Sequence, residues 1–275
     1  MPRPDRGLRR RRRTRARGVL RAAHHGLRGG PGPPPRAPPG PRPARDPGRT
    51  RRRPPRADHR LPLRDRYGRA VNAITTGPAL LDAVHVGPMD NVAYLVTCRR
   101  TGRRALVDAA AEPATLLDLV GGDLDLVVTT HRHHDHVGAL AAVVEATGAR
   151  TAAGDADADH LPLPVQQRLH HGDVLHVGDV PLEVVHLRGH TPGSVALVLC
   201  DPQGPDHVLT GDSLFPGGVG NTRGDAAAFA QLLDDVTARL FDVLDDDTVV
   251  HPGHGAPTTI GAERPALPEW RARGW

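Results

Sequence analysis

Lysine is absent from the 275 residues, so all 36 basic side chains are arginine. Alanine, glycine, proline and aspartate are abundant beside it, a drift expected of GC-rich coding DNA that says nothing about function by itself. Cysteine is scarce. Cys98 and Cys200 are the two present, and neither has metal-type spacing, which leaves no disulfide framework and no thiolate metal site. Each ends an apolar, strand-like run, so both read as buried free thiols in a reducing cytoplasm. Long apolar runs are missing too. Nothing approaches the ~18–20 apolar residues of a membrane span. No apolar stretch of ~7–15 residues follows the first arginines, which argues against a secretory signal.

Charge is unevenly spread. Residues 1–60 hold 20 arginines and 3 acidic residues, a net of +17, whereas residues 61–275 hold 16 arginines and 28 acidic residues, a net of −12. The first segment runs through Arg9 to Arg13, Pro33-Pro34-Pro35 and Arg51-Arg52-Arg53 with few large apolar side chains. It cannot offset its own ordering entropy, and the expectation is a disordered Arg/Pro-rich tail over 1–60. A basic arm with weak affinity for nucleic acid is one reading of it. A passenger tail, or translation from a mis-assigned start, is preferred. An organellar transit peptide matches the arginine content, but so much proline makes a poor amphipathic helix. Residues 70–275 are expected to form the folded domain. Its acidity argues against nucleic acid as a partner of the core.

From about Ile74 strand and helix signals alternate. Val84 to Gly87 and Val92 to Cys98 read as strands joined by a Gly-Pro-Met-Asp-Asn turn, and Ala105 to Val107 as another strand, ending at Asp108. Glu112-Pro113 opens a helix carrying Leu116, Leu117 and Val120, closed by Gly121-Gly122. Leu124 to Val128 is a short buried strand. Thr129 to Gly138 then places His131, His133, His134, Asp135 and His136 on the turn into a helix carrying Leu140, Ala141 and Val144. Strand ends of this kind are where α/β sheets hold ligands. Neutral imidazole with carboxylate suits zinc, and also iron or manganese.

Ala149 to Ala152 reads as a short strand. Asp155, Asp157 and Asp159 read as a solvated acidic loop, since a calcium loop would need a glycine and a liganding glutamate that are missing. Val174 to Leu187 reads as a hairpin with a Gly178-Asp179 turn. It leads to His190. Val195 to Cys200 and His207 to Thr210 are strands, the second leading to Asp212. Asp225 caps a helix with Phe229, Leu232, Leu233, Val236 and Leu240 on one face. Thr248 to Val250 reads as the last strand, followed by His254. Strand after strand thus ends in a potential ligand, and the mixture of elements suggests layered α/β architecture.

These residues resemble the metallo-β-lactamase superfamily from roughly Ala73 to Gly255. Its His-x-His-x-Asp-His motif is matched by His131, His133, Asp135 and His136, its downstream histidine by His190, its bridging aspartate by Asp212 and its last histidine by His254. The resemblance implies an αββα sandwich of two mixed β-sheets flanked by helices. It implies one metal on His131, His133 and His190, a second on Asp135, His136 and His254, and Asp212 between them. Two zinc ions per chain are expected, with iron or manganese as alternatives. Asp135 and Asp212 are the side chains implied in catalysis. The implied chemistry is hydrolysis of a small thioester or ester by a metal-bound hydroxide.

Gly211 to Phe215 and Pro252 to Gly255 resemble the glyoxalase II-like branch. That branch carries a further helical domain for glutathione, and the 21 residues after His254 are too few for it. A different thioester, a lactone or an ester is equally compatible. The alternatives are a mononuclear iron persulfide dioxygenase and, further off, a nucleic-acid-processing protein. Asp108 is expected to support a liganding histidine. His134 is expected at the pocket wall or in solvent, and His251 pointing away from His254. His170, His171, His176 and His186 are expected at the surface or satisfied in the core.

Overall fold

Side chains alternate their surroundings along the central strands, and that alternation decides the layers. In the computed structural model, which describes residues 72–274, β3 (Asn91–Cys98) turns Val92, Tyr94, Val96 and Cys98 into one apolar cluster and Ala93 and Leu95 into another. β9 (Val180–His186) sends Val180, Leu182 and Val184 into the first of these clusters and Val185 into a third. β10 (Val195–Leu199) repeats the pattern with Val195, Leu197 and Leu199 against Ala196 and Val198. A strand apolar on both faces must be covered on both. The shared cluster is therefore the seam between two sheets, and the other two lie under helices.

The first sheet runs in sequence order: β1 (Asn72–Thr75), β2 (Ala79–Val86), β3, β4 (Arg104–Val107), β5 (Leu126–Thr129), β6 (Arg150–Gly154) and β7 (Gln167–Leu169). It is antiparallel up to β4 and parallel from β4 to β7. In the second, β8 (Val174–Val177), β9, β10 and β11 (His207–Gly211) are antiparallel neighbours. After a small separate hairpin, β12 (Leu214–Phe215) with β13 (Gly218–Val219), the second sheet continues beyond β11 with β14 (Val249–Pro252), parallel to it, and β15 (Thr258–Thr259). Both sheets are mixed. The helices α1 (Pro113–Val120) and α2 (Leu140–Thr147) cover the first through Leu116, Val120, Leu140 and Val143. The second is covered by α4 (Ala226–Val236) and, after the short α5 (Ile260–Glu263), the C-terminal α6 (Leu267–Arg273), with Phe229, Leu232, Leu233, Val236 and Trp270 buried. The expected αββα sandwich is the observed fold.

The local signals explain most boundaries. Asp225 accepts hydrogen bonds from the backbone N–H groups of Ala227 and Ala228 and so caps α4. Gly121 and Gly148 end α1 and α2 in the left-handed region. The Gly178-Asp179 pair closes the β8–β9 hairpin, with Val177 facing Val180.

Four expectations need correction. Cys200 is exposed, whereas Cys98 is buried, because Cys200 stands one residue beyond β10 and no layer covers it. The acidic stretch is partly helix: α3 (Asp155–Ala158) buries Asp157 completely. Thr248 to Val250 is not the last strand, because β15 pairs back on β14. α2 begins at Leu140 and buries Val143 while Ala141 faces solvent. A tight turn first consumes His134–His136, which rotates the helix face. The tail expected over 1–60, and the domain's expected start at residues 70 and 71, lie outside the described residues.

Candidate metal centre

Carboxyl ends of strands from both sheets meet at one edge of the sandwich. β5 ends at Thr129, two residues before His131, and its parallel neighbour β4 delivers Asp108. From the other sheet, β9 leads to His190, β11 to Asp212 and β14 to His254. A 3₁₀ turn over His134–His136 separates the motif's two halves. It brings Asp135 and His136 to His254 while the His136 ring stays 4.1 Å from that of His131, and it leaves the His134 side chain 90% exposed.

All seven candidate ligands stand together. His133 Nδ1 lies 2.9 Å from His190 Nε2, which lies 3.3 Å from His131 Nε2. In the other group, His136 Nε2 is 3.2 Å from His254 Nε2 and 3.5 Å from Asp135 Oδ2, and His254 Nε2 is 3.3 Å from Asp135 Oδ2. Asp212 lies between the groups. Its Oδ2 is 3.5 Å from His190 Nε2 and 3.4 Å from His254 Nε2, and its Oδ1 is 3.3 Å from His136 Nε2.

These spacings fit metal ions. Ligand atoms bound at ~2.0–2.2 Å around one tetrahedral ion stand roughly 3.3–3.5 Å apart. Ring nitrogens this close need a proton or a cation between them. Asp212 Oδ1 is fully buried without a well-formed hydrogen bond, its near polar neighbour being His136 Nε2 at 3.3 Å, and a cation would satisfy it. The groups His131–His133–His190, His131–His136–Asp212 and Asp135–His136–His254 are each compact enough to hold an ion.

The outer partners of the histidines prepare the same atoms. His190 Nδ1 donates to the Asn221 carbonyl at 2.8 Å, and His254 Nδ1 to the Met89 carbonyl at 2.7 Å. His136 Nδ1 donates to Asp108 Oδ2 at 2.9 Å, and His131 Nδ1 lies 3.1 Å from Thr130 Oγ1. A proton held on Nδ1 leaves the Nε2 lone pair free. Asp108 also accepts from the Thr130 backbone N–H and hydroxyl, each at 2.7 Å. It therefore holds both the strand end and His136, as its position at the end of β4 led one to expect.

Burial and charge set the protonation. Burial lowers His131 and His190 and, joined by His190 and Arg223, brings His133 to about 4. Burial opposes protonation of His136 as well, but the carboxylates of Asp108 and Asp212 outweigh it and raise that imidazole to about 10. A hydrogen bond to Asp212 leads the causes that raise His254. Burial works against ionised Asp212, yet His136 and His254 hold it well below the ordinary carboxylate range.

His251 points away from the centre. It stacks on His207 with His207 Nδ1 3.0 Å from its Nε2, and it meets the Tyr94 ring edge-on. His186 contacts the Pro192 carbonyl, and His170 and His176 are at the surface. The sequence reading missed two side chains. Asn91, assigned to a turn, is buried against Asp135, His136 and His254. Asp157, assigned to solvent, is buried beneath the His131 and His190 turns. Only its place directly before an apolar run hinted at Asn91, and nothing local marked Asp157.

Gly253 is required by this crowding. A methyl group there would lie 2.7 Å from His136 Cε1 and would also collide with Asp212 Oδ1.

Comparison with known proteins agrees with the geometry. A sequence model described as the metallo-beta-lactamase superfamily matches residues 86–254. A hydroxyacylglutathione hydrolase of Ruegeria pomeroyi is 39% identical over 169 residues, covering 60% of this chain and 62% of its own. The chain spans about three-fifths of the length of the curated relatives it matches. Among solved structures, ETHE1 from Myxococcus xanthus is 29% identical with a TM-score of 0.61, covering 70% of this chain and 84% of its own. The protein TTHA1623, crystallised in a di-iron-bound form, is 36% identical with a TM-score of 0.55, covering 66% and 96%.

Proposed function

The chain belongs to the metallo-β-lactamase superfamily, and from that premise we propose that it is a metal-dependent hydrolase of small thioesters or esters. The observation that carries this reading is the pair of ligand groups sharing Asp212, with ring nitrogens and carboxylate oxygens 2.9–3.5 Å apart. Two zinc ions are proposed, one on His131, His133 and His190 and one on Asp135, His136 and His254. Divalent ions there would supply Lewis acidity toward a carbonyl and lower the pKa of a water to ~7.

The protein's own groups do the rest. Asp212 brings a carboxylate that both groups share, and Asp135 brings one to the second. The Nδ1 partners of His131, His136, His190 and His254 keep those rings from rotating. Phe215, its ring 6.4 Å from that of His254, and the exposed Met89 offer apolar surface to an acyl group. Arg223 stands near enough to His133 for its charge to depress that imidazole, and a cation there favours a substrate bearing a carboxylate. The hydroxyacylglutathione hydrolase relatives support a thioester. The di-iron-bound relative supports iron as the alternative metal.

A panel of thioesters, esters and lactones, assayed on the full chain loaded with zinc or iron, tests the reading. Hydrolysis of a thioester or ester with about two metal ions per chain is expected. One iron per chain with oxygen uptake and no hydrolysis would replace the proposal with the dioxygenase alternative. No helix among the described residues is long and apolar enough to cross a membrane.

A further inference from the structure

Two side chains outside the seven ligands each hold one half of the cluster. Asn91, the first residue of β3, is 1% exposed. Its Nδ2 donates to Asp135 Oδ2 at 3.0 Å and lies 3.4 Å from His254 Nε2 and 3.5 Å from His136 Nε2. The backbone beside it fixes that placement, because the Val92 N–H donates to the Gly253 carbonyl at 2.8 Å and Asn91 bridges to His254. All three of these contacts of the Asn91 amide nitrogen fall within the Asp135–His136–His254 group.

Asp157 does the corresponding work for the other group. It is 0% exposed, a buried carboxylate that must be paired. Its Oδ2 accepts from the Arg132 N–H at 3.1 Å and the Thr191 hydroxyl at 2.5 Å, and its Oδ1 from the Gly193 N–H at 3.0 Å. Arg132 Nε, 3.6 Å away, balances the charge. Arg132 sits between His131 and His133, and Thr191 and Gly193 follow His190. One carboxylate thus ties together the two turns that carry all three histidines. Gly193 permits the approach, since a methyl group there would lie 2.7 Å from the Asp157 side chain. Asp108 differs from both, for it touches Thr130 beside His131 and also His136.

We infer that the two metal positions are anchored separately: Asn91 is a positioning residue for the Asp135–His136–His254 group and Asp157 for the His131–His133–His190 group. Either ion can then be loosened without the other. The inference rests on the two-metal reading above. Partners of this kind typically change metal affinity ~10–100-fold, and that is the effect expected at one position in each variant.

The test uses the full chain. Zinc affinities of Asn91→Ala and Asp157→Asn are measured by competition with a chromophoric chelator, and cobalt(II) spectra are recorded at one equivalent. Two ligand variants, His254→Ala and His133→Ala, supply the reference spectra for loss of the second and first positions. Asn91→Ala should weaken one ion ~10–100-fold and leave a spectrum like that of His254→Ala. Asp157→Asn should weaken the other and match His133→Ala. A merely structural loss would lower the melting temperature and weaken both ions together. That outcome, no effect in either variant, or a match to the wrong reference would overturn the inference. Should Asn91→Ala fail to fold, Asn91→Ser, whose hydroxyl is too short to reach Asp135, faces the same comparison. Fewer than two ions on the unsubstituted protein would sink the two-metal reading itself and the inference with it. Two ions that cannot be separated sink the inference alone.

Discussion

Asp108→Asn is the most informative single substitution. Asp108 adopts φ 60° and is 2% exposed, and asparagine tolerates that left-handed backbone with the same shape. Its remaining oxygen can still accept from the Thr130 N–H. The new NH₂ group, however, replaces the oxygen that accepts from His136 Nδ1 at 2.9 Å. Two donors would then face each other. His136 resolves the conflict by moving its proton to Nε2, the atom 3.2 Å from His254 Nε2 and 3.5 Å from Asp135 Oδ2. The lone pair needed for the second ion is lost. A loss of ~10–100-fold in affinity is expected, equivalent to ~1.4–2.8 kcal/mol.

A proton count sharpens the test. In the metal-free protein His136 is raised to about 10, burial being outweighed by Asp108 and Asp212. At neutral pH it is protonated and must release that proton to bind an ion. Affinity at the second position should therefore rise about tenfold per pH unit between roughly pH 7 and 9. Removing the Asp108 charge lowers His136 and should flatten the dependence. Calorimetry of zinc binding in buffers of different ionisation heat measures affinity and protons together. Unchanged affinity and an unchanged proton count in Asp108→Asn would refute the idea that Asp108 sets the His136 tautomer.

Other outcomes follow from the same geometry. Asp212→Asn should lower hydrolysis ~10²–10³-fold or more, whereas His251→Asn, outside the centre, should cost less than about tenfold; the reverse order would mean the shared ligand is wrongly assigned. Gly253→Ala should disrupt the second position by pressing on His136 and Asp212, read as one metal ion lost per chain. Burial, and then His207, lowers His251 to about 3, below its ordinary ~6.5. The unfolded chain takes up that proton first, so this part of the stability is full above pH ~6.5 and falls toward pH ~3 by up to ~1.4 kcal/mol per unit. Melting temperatures from pH 7 to 4 should accordingly drop less steeply for His251→Asn. Deleting residues 1–60, which lack core-forming side chains, should leave the melting temperature and hydrolysis nearly unchanged; a large loss in either would overturn that expectation.

The sequence by itself determined the residues that carry chemistry and the elements that present them. Histidines and aspartates after apolar runs marked strand ends, Gly178-Asp179 marked the hairpin, and Asp225 marked a helix start, because each depends on neighbours a few residues away. Asp108 was legible for the same reason, as the last residue of a strand aimed at the site. Tertiary structure alone decided what crosses the gap between the sheets. Asn91 becomes a donor to Asp135 only because β3 lies against the Gly253–His254 turn. Asp157 leaves solvent only because the Arg132 and Gly193 turns close over α3 and supply its donors. Cys200 is exposed because no layer reaches it, though its local pattern equals that of Cys98. Burial of a polar group is set by what packs on it from distant parts of the chain, and no local periodicity encodes that partner.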